Sequence, residues 1–314
     1  MPQPTFSRFQ AEFFELYRAG KYEDALLLIQ LMGGLFPERA NPIYNWRICL
    51  ATLLHQPEQA LRLMKEALDL GLWWPEETLR GDSDLAALQG NSEFERLMTV
   101  CKEREAEARR STRSEMLVYL PDQPAQDSYP LLLALHGRDG NARETIEYWK
   151  TLSAQGWLVA APQSSQLLGF NSYCWDDRAK AEYEIGELVK ELQTQHPIDL
   201  QHVILGGFSQ GGGMAARLAL NGALQARGFI AVSPFLQGIE EIAHAGGNHS
   251  PARLRGYLVT GSLDSSQDMF AEIERLLQDR GVPYLRENHP DLAHDFPLDF
   301  EHSLEAAIPY ILNP

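Results

Sequence analysis

Val203-Ile204-Leu205-Gly206-Gly207-Phe208-Ser209-Gln210-Gly211-Gly212-Gly213 decides how the rest of the chain is read. Val203–Gly207 is an apolar run of strand character. A helix-compatible stretch, Gly211–Asn221, follows and opens near Gln210. Between them, Gly207-x-Ser209-x-Gly211 marks a strand-to-helix turn so sharp that side chains two residues either side of the serine would collide with each other. Such a turn projects the serine Oγ. The free N–H groups and the positive dipole end of the following helix lie beside it, where negative charge is stabilised. A phosphate-binding turn fits worse: G-x-G-x-x-G is matched poorly and no P-loop lysine follows.

Outward from this segment, apolar runs ending in turn residues predict strands at Glu115–Leu120, Pro130–Leu135, Trp157–Ala161, Val203–Gly207, Gly228–Val232, Gly256–Thr260 and Tyr284–Glu287. Helical stretches alternate with them at Arg143–Ala154, Arg178–Gln195, Gly211–Asn221, Gln267–Arg280 and Leu298–Ile311. Continuous apolar strands alternating with helices imply an α/β fold with a parallel sheet covered on both faces. Ligand sites in such sheets lie at the C-terminal strand ends.

A serine is activated when a neutral imidazole takes its proton and a carboxylate orients that imidazole. His294, in Asp291-Leu292-Ala293-His294-Asp295-Phe296-Pro297, follows the last strand and precedes the last helix; His289 is the runner-up, nearer the strand end. Asp264 ends the strand turn Leu258-Val259-Thr260-Gly261-Ser262-Leu263-Asp264 and is the candidate acid in the order Ser…Asp…His. Its competing role is helix N-cap, and Asp268 is a weaker acid candidate. The backbone N–H groups of Gln210 and Arg138 are the expected oxyanion donors, the second from the loop His136-Gly137-Arg138-Asp139-Gly140. His136 reads as a structural support of that loop, not a second base.

Leu131–Gly137 (LLLALHG), Gly206–Ala215 (GGFSQGGGMA), Thr260–Asp264 (TGSLD) and Ala293–Pro297 (AHDFP) together resemble the carboxylesterase/phospholipase and acyl-thioesterase branch of the α/β-hydrolases, over about residues 114–314. The resemblance implies a mostly parallel sheet and hydrolysis of esters or thioesters without a cofactor. Arg138-Asp139-Gly140 departs from it, since many relatives carry apolar or small residues there. Dienelactone hydrolase cousins use a cysteine where this chain has Ser209.

The stretch from Gln166 to Asp177 follows a strand end and reads as a long aromatic loop. Leu168, Phe170 and Trp175 on it, with Phe235 and Phe296 beside the reactive loops, are candidate walls of a substrate pocket. Asp176 and Asp177 read as caps of the next helix. Metal binding is not expected: His244 and His249 share a Gly-rich loop, but there is no HExxH and no cysteine cluster.

The first part of the chain differs. From Phe9 to about Arg110 it has helical periodicity, as in Phe13, Leu16 and Tyr17 or Ala25, Leu28, Ile29 and Met32. Gly20-Lys21-Tyr22-Glu23-Asp24-Ala25-Leu26 aligns with His55-Gln56-Pro57-Glu58-Gln59-Ala60-Leu61 at a shift of 35 residues. That is close to the roughly 34-residue tetratricopeptide period, and Ala25 and Ala60 would let paired helices approach. The expected organisation is a tetratricopeptide-like helical domain over 1–110 and an α/β-hydrolase domain over 111–314, with the charged stretch Lys102–Arg113 leading from one to the other. The helical part is read either as a surface for a partner protein or as a lid over the active site.

Forty-three acidic against twenty-seven basic residues give a net charge of −16, which disfavours nucleic acid as a partner. Cys49, Cys101 and Cys174 are too few and too scattered for a disulfide framework. With no secretory signal and no membrane-length apolar run visible, a cytoplasmic location is expected. The expected activity is hydrolysis of a small-molecule ester, or a thioester, by Ser209, Asp264 and His294. The rivals are a peptidase or amidase on the same fold and an interaction scaffold whose hydrolase domain is inactive.

Overall fold

The structure, a computed structural model, describes residues 5–121, 127–244 and 253–313. His249, the second histidine of the Gly-rich loop, lies outside them. Two compact units divide the chain: residues 1–112 with Leu168–Phe170, and residues 113–167 with 171–314. No helix among the described residues is long and apolar enough to cross a membrane.

The first unit is helical: α1 (Phe6–Arg18), α2 (Tyr22–Met32), α3 (Ala40–Leu53), α4 (Pro57–Asp69), α5 (Glu76–Gly81) and α6 (Ser92–Ser111). Its aromatic core forms because α1 repeats Phe at positions 6, 9 and 13 on one face; Phe13 stacks on Trp46 of α3 at 4.3 Å between centroids. Ala25 and Ala60 are fully buried. The charged stretch reads from sequence as the end of an exposed helix and a linker; α6 runs to Ser111 and carries its charges as i,i+3 and i,i+4 pairs.

The two aligned segments share a turn. Gly20 and His55, equated by the sequence alignment, both adopt left-handed backbone, with φ of 70° and 59°. The hydrogen bonds match residue for residue: Lys21 N–H donates to Leu16 O and Gly20 N–H to Tyr17 O, as Gln56 N–H does to Ala51 O and His55 N–H to Thr52 O. This is a helix C-cap in which glycine is the unstrained residue.

The second unit is built on a seven-stranded sheet in the order β1-β3-β2-β6-β7-β8-β9. The strands are β1 (Glu115–Tyr119), β2 (Tyr129–Leu135), β3 (Leu158–Gln163), β6 (Ile198–Phe208), β7 (Gly228–Val232), β8 (Arg255–Gly261) and β9 (Tyr284–His289). All pair in parallel except β1, which runs antiparallel to β3 at the edge. The sheet is thus mostly parallel, as expected, with β1 its antiparallel member. The half-exposed pattern of that strand suits an edge.

The sequence's long aromatic loop is corrected. Gln166–Gly169 (β4) and Ser172–Cys174 (β5) form a two-stranded hairpin joined through Phe170 and Asn171. Asn171 takes φ of 52°, the left-handed conformation that asparagine tolerates in tight turns.

Alternate residues of each strand face opposite layers. Leu131, Leu133 and Leu135 pack with α8 (Arg178–Gln195), α9 (Gln210–Leu220) and α11 (Gln267–Asp279); Leu132 and Ala134 pack with α7 (Ala142–Trp149) and α12 (Phe300–Leu312). A short helix, α10 (Ile239–His244), follows β7. The sheet is thus a rigid, buried platform whose C-terminal edge carries the loops after β2, β6, β8 and β9.

Because a non-glycine residue in the left-handed region costs about 1–2 kcal/mol, His55→Gly is expected to stabilise the helical unit by about 1 kcal/mol. Gly20→Ala is expected to destabilise it by a similar amount. Thermal melts followed by far-UV circular dichroism check both directions.

Candidate active site

Ser209 stands between β6 and α9 with φ of 52° and ψ of −120°. No ordinary residue takes this conformation without cost, so the turn is held by its surroundings. Ser209 N–H donates to Val232 O, and its carbonyl accepts from Gly213 N–H and Phe235 N–H. The glycines around it are required by contact, but not by one common contact. A Cβ at Gly207 would lie 2.4 Å from the Gly211 backbone, whereas one at Gly211 would lie 2.2 Å from Leu135 O and 2.4 Å from His136 O at the end of β2. The collision expected between the two flanking positions therefore holds for Gly207; Gly211 is glycine so that α9 can abut β2.

His294 Nε2 lies 2.8 Å from Ser209 Oγ, and its Nδ1 lies 2.9 Å from Asp264 Oδ2. The three residues come from loops after β6, β8 and β9. The acid and histidine loops are locked backbone to backbone: Ser262 N–H donates to His289 O and Leu263 N–H to Leu292 O. A Cβ at Gly261 would fall 2.0 Å from Leu292 O, which explains the glycine before the acid. The Asp264 side chain is fully buried and that of His294 is 37% exposed. Burial opposes ionisation of Asp264, but hydrogen bonds from His294 and from Ser266 N–H outweigh it and hold the carboxyl below its ordinary range. An ionised acceptor at Nδ1 fixes the proton there and leaves Nε2 to accept from the serine.

The alternatives sit elsewhere. His289 ends β9 with its ring against Glu287, and Asp268 lies in the first turn of α11. Asp264 also accepts from Ser266 N–H, so it partly fills the turn-capping role weighed from sequence as well.

Gln210 opens α9, where backbone N–H groups lack helical acceptors. In the loop after β2, Asp139 N–H donates to Tyr173 O and Gly140 N–H to Gly137 O, which leaves Arg138 as the candidate donor toward the serine. Beneath the loop His136 is fully buried. Its Nε2 accepts from Ser164 N–H, so Nδ1 carries the proton toward Gly137 O. Burial, only partly offset by that bond, pushes its pKa down to about 4. A ring that is neutral and doubly engaged supports the loop and is no second base.

Of the candidate walls, Trp175 is buried at 1% exposure, stacks on His136 and donates from its indole N–H to His136 O. Phe296 is also buried, stacked between Tyr148 and Phe208. Phe235 is 40% exposed, and Leu168 and Phe170 are half-buried on the hairpin. Two features escaped the sequence reading. Phe208 lies 5.0 Å from the His294 ring. Asp176 does not cap α8, a task Asp177 performs alone by accepting from Lys180 N–H; Asp176 turns instead to Gln210 and Arg138.

Residues 175–273, which hold the elbow and the acid loop, match the model of the phospholipase/carboxylesterase family, and residues 5–109 match that of the A/B hydrolase-like N-terminal domain. The chain has the α/β-hydrolase fold, preceded by an all-helical N-terminal region. The chain is 32% identical over 99 residues to a bifunctional acetylxylan esterase/xylanase of Neocallimastix patriciarum, covering 30% of this chain and 14% of that one. It is 30% identical over 150 residues to a probable feruloyl esterase C of Aspergillus clavatus, covering 45% of this chain and 52% of that one. It thus spans about half the length of one relative and a small fraction of the other. Among solved structures, an uncharacterized protein from Bacillus cereus matches 98% of this chain and 99% of its own, with 28% identity and a TM-score of 0.55. A phospholipase/carboxylesterase from Dyadobacter fermentans matches 63% of this chain and 97% of its own, with 22% identity and a TM-score of 0.51, a likeness of fold.

Two outcomes follow from this packing. Gly211→Ala is expected to destabilise the hydrolase unit by about 3 kcal/mol, at the upper end of overpacking costs because backbone must move; a thermal melt reads it. His136 binds its proton near pH 6.5 when unfolded but near about 4 when folded. As pH falls through that window the unfolded state gains protons and stability drops, by on the order of 3 kcal/mol when complete. Urea midpoints followed by tryptophan emission from pH 7 to 4.5 should fall more steeply in the wild type than in His136→Gln.

Proposed function

We propose that this hydrolase is a serine esterase that cleaves carboxylic esters through an acyl-enzyme on Ser209. The observation that carries the reading is the unbroken chain from Ser209 Oγ to His294 Nε2 at 2.8 Å and from His294 Nδ1 to Asp264 at 2.9 Å, built on a left-handed serine turn. His294 takes the serine proton as Oγ attacks the carbonyl carbon. The oxyanion is met by the N–H groups of Gln210 and Arg138. His294 then delivers its proton to the departing alcohol, and the C–O bond breaks. In the second half His294 takes a proton from water, hydroxide adds to the acyl carbon, and the carboxylic acid leaves as Ser209 regains its proton. No cofactor enters any of these steps.

The esterase names of both sequence relatives favour oxygen esters over thioesters or amides as the first substrates to try. The twin left-handed turns support a repeat reading of the helical unit, whose surface would then suit a protein partner. Three free, buried cysteines accord with a reducing, cytoplasmic setting.

Hydrolysis of p-nitrophenyl esters of graded chain length tests the reading. Ser209→Ala is expected to lose activity by about 10⁴-fold or more and to lose labelling by a fluorophosphonate. Equal rates in variant and wild type would remove Ser209 from the reaction. Turnover confined to aminoacyl amides would move the assignment to a peptidase.

A further inference from the structure

We infer that Asp176 is a positioning residue that ties the two donors of the oxyanion hole to each other, an inference that rests on the esterase reading of Ser209. Asp176 follows β5, far in sequence from either donor. Its Oδ1 accepts from the Gln210 side-chain amide at 2.8 Å, and its Oδ2 faces the Arg138 guanidinium at 3.3 Å. One carboxylate therefore joins the side chains of the very residues whose N–H groups would meet the oxyanion.

The preceding residue reinforces the tie. Trp175 N–H donates to Gln210 Oε1 at 2.9 Å, so consecutive residues hold both ends of one amide, and the Trp175 indole donates to His136 O at 2.8 Å. The need for such a brace lies in the two donors' unequal support. Gln210 is 4% exposed and fixed by the elbow. Arg138 sits on an exposed loop beside Asp139, whose φ is 64°. Oxyanion donors act only within about 2.7–3.1 Å of the developing charge, so the spacing between loop and elbow decides whether both reach it. Charge is consistent with the role: although burial opposes it, hydrogen bonds from Gln210 and Arg138 keep the Asp176 carboxyl below its ordinary range. The neighbouring Asp177, which caps α8, supplies a built-in control.

A donor moved out of place weakens the transition state and leaves substrate binding alone, so the loss belongs in kcat. In the full chain with p-nitrophenyl acetate, Asp176→Ala is expected to lower kcat about tenfold or more with KM changed less than about twofold. Its affinity for an alkyl trifluoromethyl ketone, which forms the same oxyanion on the serine, should fall by a similar factor. Asp176→Asn, which keeps an acceptor for Gln210 but loses the charge facing Arg138, should fall between, and it carries the test if the alanine variant does not fold. Asp177→Ala should lower thermal stability and leave kcat within about twofold. Unchanged kcat and ketone affinity in both Asp176 variants, or a loss confined to KM, would overturn the positioning role while leaving the esterase reading intact. Activity surviving Ser209→Ala would instead remove the reading on which it rests.

Discussion

A serine backbone held in the left-handed region between a buried strand and a helix is the constraint on which the hydrolase unit turns. That conformation is tolerable only where neighbouring backbones approach too closely for any side chain. Gly207 admits the start of α9, and Gly211 admits the end of β2. The sheet beneath resists yielding, because Leu131–Leu135 of β2 and Val203–Gly207 of β6 are buried and pair residue for residue. Strain at one residue is thus carried by a platform assembled from distant parts of the chain, and the exposed Oγ is its outcome.

The histidine and acid follow a second principle. Their loops leave adjacent parallel strands, so their separation is set by strand spacing. Between β6 and β8 lies β7, whose Ser233 N–H donates to Val259 O, and Ser209 N–H in turn donates to Val232 O. Backbone bonds therefore link three successive strand ends in a row. The bonds from Ser262 N–H to His289 O and from Leu263 N–H to Leu292 O extend the row to the loop that carries His294.

Much of this was legible in the sequence. The seven sheet strands announce themselves as apolar runs, since a buried parallel strand needs such side chains on both faces. Ser209, Asp264 and His294 stand out by chain order and by the small residues around them. What stayed hidden is what periodicity does not encode. The antiparallel edge strand looks like any other strand. The β4–β5 hairpin has a two-residue connection, Phe170-Asn171, without the usual glycine signal. Asp176 and Asp177 are neighbours of one chemical type, and only three-dimensional placement separates a cap from a bridge. Gly20 and His55 show the reverse case: an alignment found them equivalent although their side chains share nothing, because the backbone sets the equivalence.

The lock between Gly261 and the Leu292 carbonyl is made of main-chain atoms on both sides. Pro290, Asp291 and Ala293, exposed around it, contribute little to holding His294 in place. The rim next to the imidazole is therefore free to drift in sequence while the imidazole stays put. Substitutions along that rim can therefore reshape the surface beside the Ser209–His294 pair while the main-chain lock beneath it stays intact.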